Sequence, residues 1–285
     1  EHEETMKNIA LYKDILDNYD SMAAVIIKDM DAIKKEYGRK RRTAIENAEE
    51  AVYEEKKMEE MEVCFLMDRF GYMKLIDKNA YERNKEAVYN ENKYVFNCMN
   101  TDKICIFTDT GKMHTIKAVD IPLGRFRDKG TPVDNLSNYD SSQERMLYVA
   151  PVGQLRSDRL LFVTKTSMCK LVEGAEFDVA KRTIASTKLA DEDELIFIGS
   201  ASEMEQIVLQ SHGGCFLRFL TQEVSTMKKT ALGVRGMKLA DDDYLEHAYL
   251  LAGHQEYTIS YHDKEYALNK VRLAKRDTKG IKPRI

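Results

Sequence analysis

Leu161-Phe162-Val163-Thr164, followed after a short turn by Ser167-Met168-Cys169-Lys170-Leu171, is echoed by Ile207-Val208-Leu209-Gln210, a turn at Gly213-Gly214, and Cys215-Phe216-Leu217-Arg218-Phe219. The echo continues downstream. Lys181-Arg182-Thr183 answers to Lys228-Lys229-Thr230, and Thr187-Lys188-Leu189-Ala190-Asp191-Glu192-Asp193-Glu194-Leu195 answers to Met237-Lys238-Leu239-Ala240-Asp241-Asp242-Asp243-Tyr244-Leu245. Leu161 and Ile207 lie 46 positions apart, and Lys188 and Lys238 lie 50 apart. A period of that length, written in short apolar runs and tight turns, is the sequence sign of a bladed or stacked β architecture.

The same grammar extends outward from this pair. Val63-Cys64-Phe65-Leu66-Met67, Phe70-Gly71 and Tyr72-Met73-Lys74-Leu75-Ile76 spell a hairpin with glycine in its turn. So do Ile104-Cys105-Ile106-Phe107-Thr108, Asp109-Thr110-Gly111 and Met113-His114-Thr115-Ile116. Glu256-Tyr257-Thr258-Ile259-Ser260-Tyr261, Asp263-Lys264 and Tyr266-Ala267-Leu268 open a fifth. Hairpins at this spacing predict a mainly β fold over residues 61–285, a propeller-like pinwheel of about five four-stranded blades. The last blade stops short at Ile285, so its remaining strands are expected from another segment or from further chain.

Residues 5 to about 37 follow a different period. Ile9, Tyr12, Leu16, Tyr19, Ala23, Ile26, Met30, Ile33 and Tyr37 recur at steps of three and four, with charges outside the seam and no Pro or Gly within it. The pattern predicts one long coiled-coil helix, with its partner on missing chain or on another subunit. The alternative is an ordinary amphipathic helix packed on the β domain. Gly38 is a stop signal, and Arg39-Lys40-Arg41-Arg42 suit the negative end of the helix dipole, with phosphate binding as the functional alternative. Glu46, Glu49, Glu50, Glu54 and Glu55 mark residues 43–60 as an acidic linker, helical or extended, so the first domain is residues 1–60. The chain starts without Met, in mid-helix, and is expected to be part of a longer polypeptide.

Composition excludes more than it selects. The 285 residues are 43% hydrophobic and 32% charged with a net charge of −4, so a case for nucleic acid must rest on where the cations sit. Cys64, Cys98, Cys105, Cys169 and Cys215 form no Cys-x-x-Cys pair and lie mostly in apolar runs, the pattern of buried thiols in a reducing compartment. The six histidines show no ligand spacing. No apolar stretch approaches membrane-spanning length, and the charged start has no signal-peptide pattern.

No catalytic constellation is present: there is no phosphate-binding Gly-x-x-x-x-Gly-Lys loop, nucleophile elbow or His-Glu-x-x-His. Asp191-Glu192-Asp193-Glu194 and Asp241-Asp242-Asp243 recur at one place in the repeat, just before an apolar strand, which points to turns over metal ligation. Cations recur as well. Lys74, Lys170 and Arg218 sit shortly after hairpin turns; Arg125, Arg127 and Lys129 precede Gly130; Lys181-Arg182 matches Lys228-Lys229. Arg235 and Lys238 flank Gly236, and Arg276 and Lys279 precede Gly280. Repetition places equivalent residues on one rim, where a curved basic band would suit a bent phosphate backbone without base readout. Residue by residue, loop solvation explains each cation equally well, and a propeller scaffold on a coiled-coil stalk that binds protein partners is the alternative function.

Tyr37-Gly38-Arg39-Lys40-Arg41-Arg42-Thr43 after the heptad helix resembles the exit from the coiled-coil arm in the A subunit of bacterial type IIA DNA topoisomerases. The chain beyond that exit resembles the C-terminal β-pinwheel of the same subunit. Phe70-Gly71-Tyr72-Met73-Lys74 is similar to the opening of its first blade. Thr108-Asp109-Thr110-Gly111-Lys112, Ile116-Lys117, Asp120-Ile121-Pro122 and Lys129-Gly130 are similar to its second, and Gly233-Val234-Arg235-Gly236-Met237-Lys238-Leu239 to a later segment. The resemblance implies the non-catalytic part of a bacterial, cytoplasmic, nucleoid-associated enzyme that passes one duplex through another. Its implied partners are double-stranded DNA, which the pinwheel binds and bends, a B subunit that binds ATP, and a second A subunit joined through regions outside this sequence, with the enzyme's Mg2+ held by other domains or subunits. The catalytic tyrosine of the family precedes the arm, and none of the 15 tyrosines here takes its role. Gyrase A subunits carry a Gln-Arg-Arg-Gly-Gly-Lys-Gly type box on the first blade. The corresponding loop, Ala80-Tyr81-Glu82-Arg83-Asn84-Lys85-Glu86-Ala87-Val88, has no glycine, which makes a topoisomerase IV-like subunit the better match. A separate DNA-binding accessory protein built from the same domain is a third reading.

Overall fold

The first strand of each of the first four hairpins is buried along a continuous run rather than on alternate residues: Val63–Met67, Ile104–Thr108, Leu160–Thr164 and Ile207–Ser211. Such a strand is covered on both faces. That is the position these strands occupy in the computed structural model, which describes residues 1–43, 59–253 and 256–283 and divides into two units, Glu1–Lys57 and Met58–Ile285.

The first unit holds helices α1 (His2–Asp17) and α2 (Tyr19–Tyr37). The heptad pattern predicts one helix; the structure has two. At Asn18 the backbone is extended (φ −116°, ψ 116°), and the Asn18 side chain accepts a hydrogen bond from the Asp20 amide and so caps α2. Asparagine is a strong N-cap residue because its short side chain satisfies an orphan amide, and here that local preference interrupts the periodicity. No residue of either helix is buried, and Ile9, Tyr12, Leu16, Ile26, Met30 and Ile33 are all exposed. The Gly38 amide closes α2 on the Lys34 carbonyl. The expected acidic linker falls largely at residues 44–58, outside the described residues.

The second unit runs β1 (Glu62–Asp68), β2 (Tyr72–Asp77), α3 (Lys78–Arg83), α4 (Lys85–Glu91), β3 (Asn92–Met99), β4 (Lys103–Thr108), β5 (Lys112–Lys117), β6 (Thr131–Pro132), β7 (Met146–Pro151), β8 (Arg159–Thr164), β9 (Met168–Glu173), β10 (Thr183–Ala185), β11 (Leu195–Ser200), β12 (Gln206–Ser211), β13 (Phe216–Leu220), β14 (Val234–Arg235), β15 (Leu245–Leu251), β16 (Thr258–Tyr261) and β17 (Lys264–Ala267). The sheets are antiparallel: β3-β1-β2-β6, β7-β4-β5-β10, β11-β8-β9-β14, and β15-β12-β13, with Ile281 bridging to Phe216 at the free side of the last. β16 and β17 form a two-stranded hairpin.

The four strands of a blade are therefore not contiguous in sequence. β6 follows the hairpin of the second blade but pairs with β2 of the first; β10 and β14 repeat the exchange one and two blades on, and Ile281 does so for the fourth. Third strands of successive blades touch (β3 with β7, β7 with β11, β11 with β15), so they line the inner side and the exchanged strands lie at the opposite, outer edge.

Alternation within each central strand divides the core. Ile104 and Ile106 meet Phe65, Met67 and Leu75 of the first blade, while Cys105 and Phe107 meet Leu160, Phe162 and Phe177 of the third. Leu161 and Val163 face Ile207 and Leu209, and Val208 and Phe216 face Leu268 and Val271. Among the described residues, the first blade has no such neighbour on its other face. Instead Cys64, Leu66 and Ile76 pack on Tyr81 and Val88, so the segment read as a loop after the first hairpin forms α3 and α4 and covers that face. A terminal repeat needs such a cover to bury its apolar side. Four cysteines are buried and Cys215 partly so, all as free thiols, and no described helix is long and apolar enough to cross a membrane.

Candidate nucleic-acid interface

The third residue of the second hairpin strand is Lys74, His114, Lys170 and Arg218 in blades one to four. Sequence reading places the Lys and Arg residues of this set on a basic rim. The structure turns them inward. The Lys170 side chain is 1% exposed, and its ammonium donates to the Lys229 and Ala231 carbonyls, both at 2.7 Å. Lys74 donates to the Phe126 and Asp128 carbonyls at 2.5 and 2.6 Å, and Arg218 to the Asn269 carbonyl. Burial pushes the Lys170 ammonium down to about 8, against an upward pull from Glu176, and lowers that of Lys74 against nearby carboxylates. These three cations are anchors for the loops that deliver the exchanged strands. A buried charge satisfied by aligned carbonyl dipoles survives desolvation that an unpaired one would not.

His114 does a related task with side-chain partners. Its Nδ1 lies 3.1 Å from Thr183 Oγ1 on the exchanged strand, and its Nε2 lies 3.2 Å from the Glu144 carboxylate. Burial opposes ionisation of Glu144, but hydrogen bonds from Thr108, His114 and Thr110 outweigh it and hold the carboxyl below its ordinary value. Asp193 and Asp243 occupy the matching place in later blades. Asp193 accepts from the Thr166 amide and hydroxyl, and Asp243 from the Gly213 amide, so the recurring acidic stretches are turns that lock hairpin tips. No metal-holding group of His, Cys, Asp or Glu occurs among the described residues.

The outward cations lie on the exchange loops themselves. Along 125–130, 228–233 and 275–280, the first, third and fifth positions are exposed while the second and sixth are half-buried. The exposed set is Arg125, Arg127 and Lys129 in the first loop, Lys228 in the second, and Lys275 and Lys279 in the third. The shorter loop between blades two and three exposes Lys181 and Arg182. Lys129 lies 4.3 Å from the Tyr72 ring centroid. Not every predicted cation is equally available. Lys228 pairs with Glu176 at 3.3 Å, half-buried Lys229 donates to the Glu176 carbonyl, and Arg235 pairs with Asp277 at 3.5 Å. Arg276 spends its guanidinium on the Glu223 and Arg235 carbonyls. Arg125, Arg127, Lys181, Arg182, Lys238 and Lys279 have no ion-pair partner among the described residues.

The candidate set omits Lys188 and Lys275, both exposed, although Lys275 opens the stretch to Gly280 that pairs cations with glycine. The repeat carries a signal for each: Lys188 is the counterpart of Lys238, and Lys275 stands five residues before its loop glycine, as Arg125 and Lys228 do.

Residues 102–141, 158–202 and 205–252 match the family described as DNA gyrase C-terminal domain, beta-propeller. Those segments hold the hairpins of blades two to four and the exchanged strands β6, β10 and β14; β1 to β3 with their cover α3 and α4, β7, and the β16–β17 hairpin fall outside the match. The A subunit of DNA gyrase from Clostridium acetobutylicum is 30% identical over 247 residues, covering 83% of this chain and 30% of that protein. The A subunit of DNA topoisomerase 4 from Bacillus subtilis is 27% identical over 255 residues, covering 86% and 32%. The chain thus spans about a third of the length of the curated relatives it matches. Among solved structures, the C-terminal domain of DNA topoisomerase IV superposes with a TM-score of 0.69 at 22% identity, over 79% of this chain and 73% of that one. The E. coli ParC C-terminal domain gives 0.62 at 15%, over 78% and 94%. At these identities the likeness is one of fold.

Proposed function

Since the bladed domain of this chain belongs to the DNA gyrase C-terminal β-propeller family, we propose that it binds and bends duplex DNA along its exchange loops, as the non-catalytic C-terminal portion of the A subunit of a type IIA topoisomerase. The observation that carries this reading is the recurrence of exposed cations at one topological position, the outer-edge loops, in successive blades. Such a band contacts phosphates and reads no bases, so sequence preference would come only from the ease of bending.

Within the family, the reading favoured is a topoisomerase IV-like subunit, which relaxes and decatenates. Its support is the first blade, where α3 and α4 stand where a glycine-rich basic loop would be needed for a gyrase-type box. The enzyme's ATP and Mg2+ would belong to other domains and subunits, and its setting would be the bacterial cytoplasm on the nucleoid. The exposed apolar residues of α1 and α2 support a helical partner for the first unit.

Duplex binding measured across a salt series tests the proposal. Arg125, Arg127, Lys129, Lys181, Arg182, Lys238 and Lys279 are exposed; with one phosphate each, log K would fall against log salt with a slope of about −6. Reversing Lys181 and Arg182 to Glu should make that slope shallower without altering the thermal melt. Absence of binding at low salt overturns the proposal. For the finer reading, the full-length subunit reconstituted with its B subunit should relax and decatenate, and negative supercoiling would refute it.

A further inference from the structure

Lys74 and Lys170 repeat one device at two blade boundaries. Each ammonium takes two carbonyls from alternate residues of the incoming loop: Phe126 and Asp128 in one case, Lys229 and Ala231 in the other. Each pair of carbonyls belongs to a turn, closed by the Asp128 amide on the Arg125 carbonyl in the first loop and by the Ala231 amide on the Lys228 carbonyl in the other, both at 3.0 Å. An ammonium that holds both carbonyls of such a turn fixes the turn's orientation, and with it which neighbouring residues face out. At the first boundary Phe126 is the half-buried residue, with Lys74 Nζ 5.4 Å from its ring centroid, while Arg125, Arg127 and Lys129 are exposed. At the other boundary Lys229 and Ala231 are half-buried, and Lys228, Thr230 and Leu232 are exposed. Asp128, between the cations of the first loop, is exposed as well, but its carboxylate accepts from the Arg125 amide at 2.7 Å and so turns back on the loop.

We propose that Lys74 and Lys170 are positioning residues for nucleic-acid contact. Each inward ammonium sets the in-and-out register of an exchange loop, and the register decides how many cations that loop presents to phosphate. The proposal deepens the DNA-binding reading and rests on it. It also ranks the boundaries: the loop held by Lys74 presents three cations and the loop held by Lys170 presents one, already paired with Glu176. The Lys74 loop is then the principal anchor.

Three variants of the whole chain separate the outcomes, each confirmed folded by its thermal melt, with binding read on a linear duplex over a salt series. In the first, Arg125, Arg127 and Lys129 are all changed to Gln while Lys74 stays. In the second, Lys74→Met removes the clamp and no exposed cation. In the third, Lys74→Arg keeps the charge in a form the same position already accepts in the fourth blade, where Arg218 binds a carbonyl. Each phosphate contact contributes about 0.9 to the salt slope. The triple variant should lose roughly 2.7 from the slope, and no loss there would refute the DNA-binding role of this loop itself. Given that loss, Lys74→Met should also lose about two or more, beyond the roughly one that a single charge accounts for, with faster amide exchange confined to 125–130. Lys74→Arg should fall between Lys74→Met and the unaltered chain. A slope loss of one or less in folded Lys74→Met overturns the positioning role. If Lys74→Met does not fold, Lys74→Arg decides: an unchanged slope with faster amide exchange in the loop refutes the proposal, and a shallower slope supports it.

Discussion

Lys170 shows why residue type alone misleads. Lysine after a hairpin turn reads as a solvated cation, yet this side chain is 1% exposed and its ammonium is held on two backbone carbonyls. Its folded-state value of about 8 lies below the 10.5 of a free lysine. Between those values the unfolded chain holds a proton that the folded chain has released, so the stability this group contributes rises with pH across the window and is lost as pH falls through about 8. Urea unfolding of the native chain and of Lys170→Met should therefore diverge in favour of the native chain from about pH 7.5 to about pH 10. A constant difference would show that the ammonium is not desolvated. The comparison has to be made against the variant, because thiols such as Cys105 and Cys169, pushed up to about 12 by burial, titrate with the opposite sign in both proteins.

The exchange loop is the element that distinguishes this fold from a row of independent hairpins. Its delivery of a strand depends on a glycine at its end: Gly130 has φ +83° and Gly233 φ +105°, and a Cβ on Gly233 would stand 2.7 Å from the Cys169 carbonyl oxygen. Gly233→Ala should destabilise the domain by about 1–3 kcal/mol, read in urea, with the amides of β14 and β9 losing protection first. The hairpin turns are more tolerant. Where three of them use Gly71, Gly111 and Gly214 at positive φ, the third blade uses Ser167 at φ 71°, whose hydroxyl accepts from the Met237 amide at 2.7 Å. There a hydrogen bond offsets strain that glycine would avoid. The two-carbonyl clamps belong to this scale as well, since they act on a loop and not on a ligand.

In the whole bladed unit, each blade packs on the next through alternate residues of its central strand and also takes a strand from it. Contacts of this kind are nearest-neighbour, and such arrays lose stability locally before they lose it globally. Deleting residues 256–285 removes Leu268 and Val271 from Val208 and Phe216, and Ile281 from its bridge to Phe216. The expected result is a lower thermal midpoint with β12 and β13 amides exchanging faster while those of β4 and β8 stay protected. Equal loss across all blades would contradict nearest-neighbour stability. Under the proposed function, the same linkage gives DNA bending a mechanical basis, because the cation-bearing loops are the strand connections themselves and move only as the blades do.

What the sequence determined by itself was the local content. Apolar runs, turn glycines and the 46- to 50-residue echo specify the hairpins and their repetition, because strand burial and turn geometry depend on neighbours within a few residues. The helical character of residues 2–37 was legible for the same reason, although the cap at Asn18, a single-residue effect, broke the seam that the period implied. Which blade receives a given strand was not legible, since β6, β10 and β14 pair across gaps set by tertiary packing. Nor was the amphipathic pair α3 and α4, whose Tyr81 and Val88 have meaning only against the open face of the first blade. The division of cations into clamps and outward groups was decided by the same packing. Lys170 and Lys181 look alike in sequence, and what separates them is whether backbone carbonyls or water surround the charge.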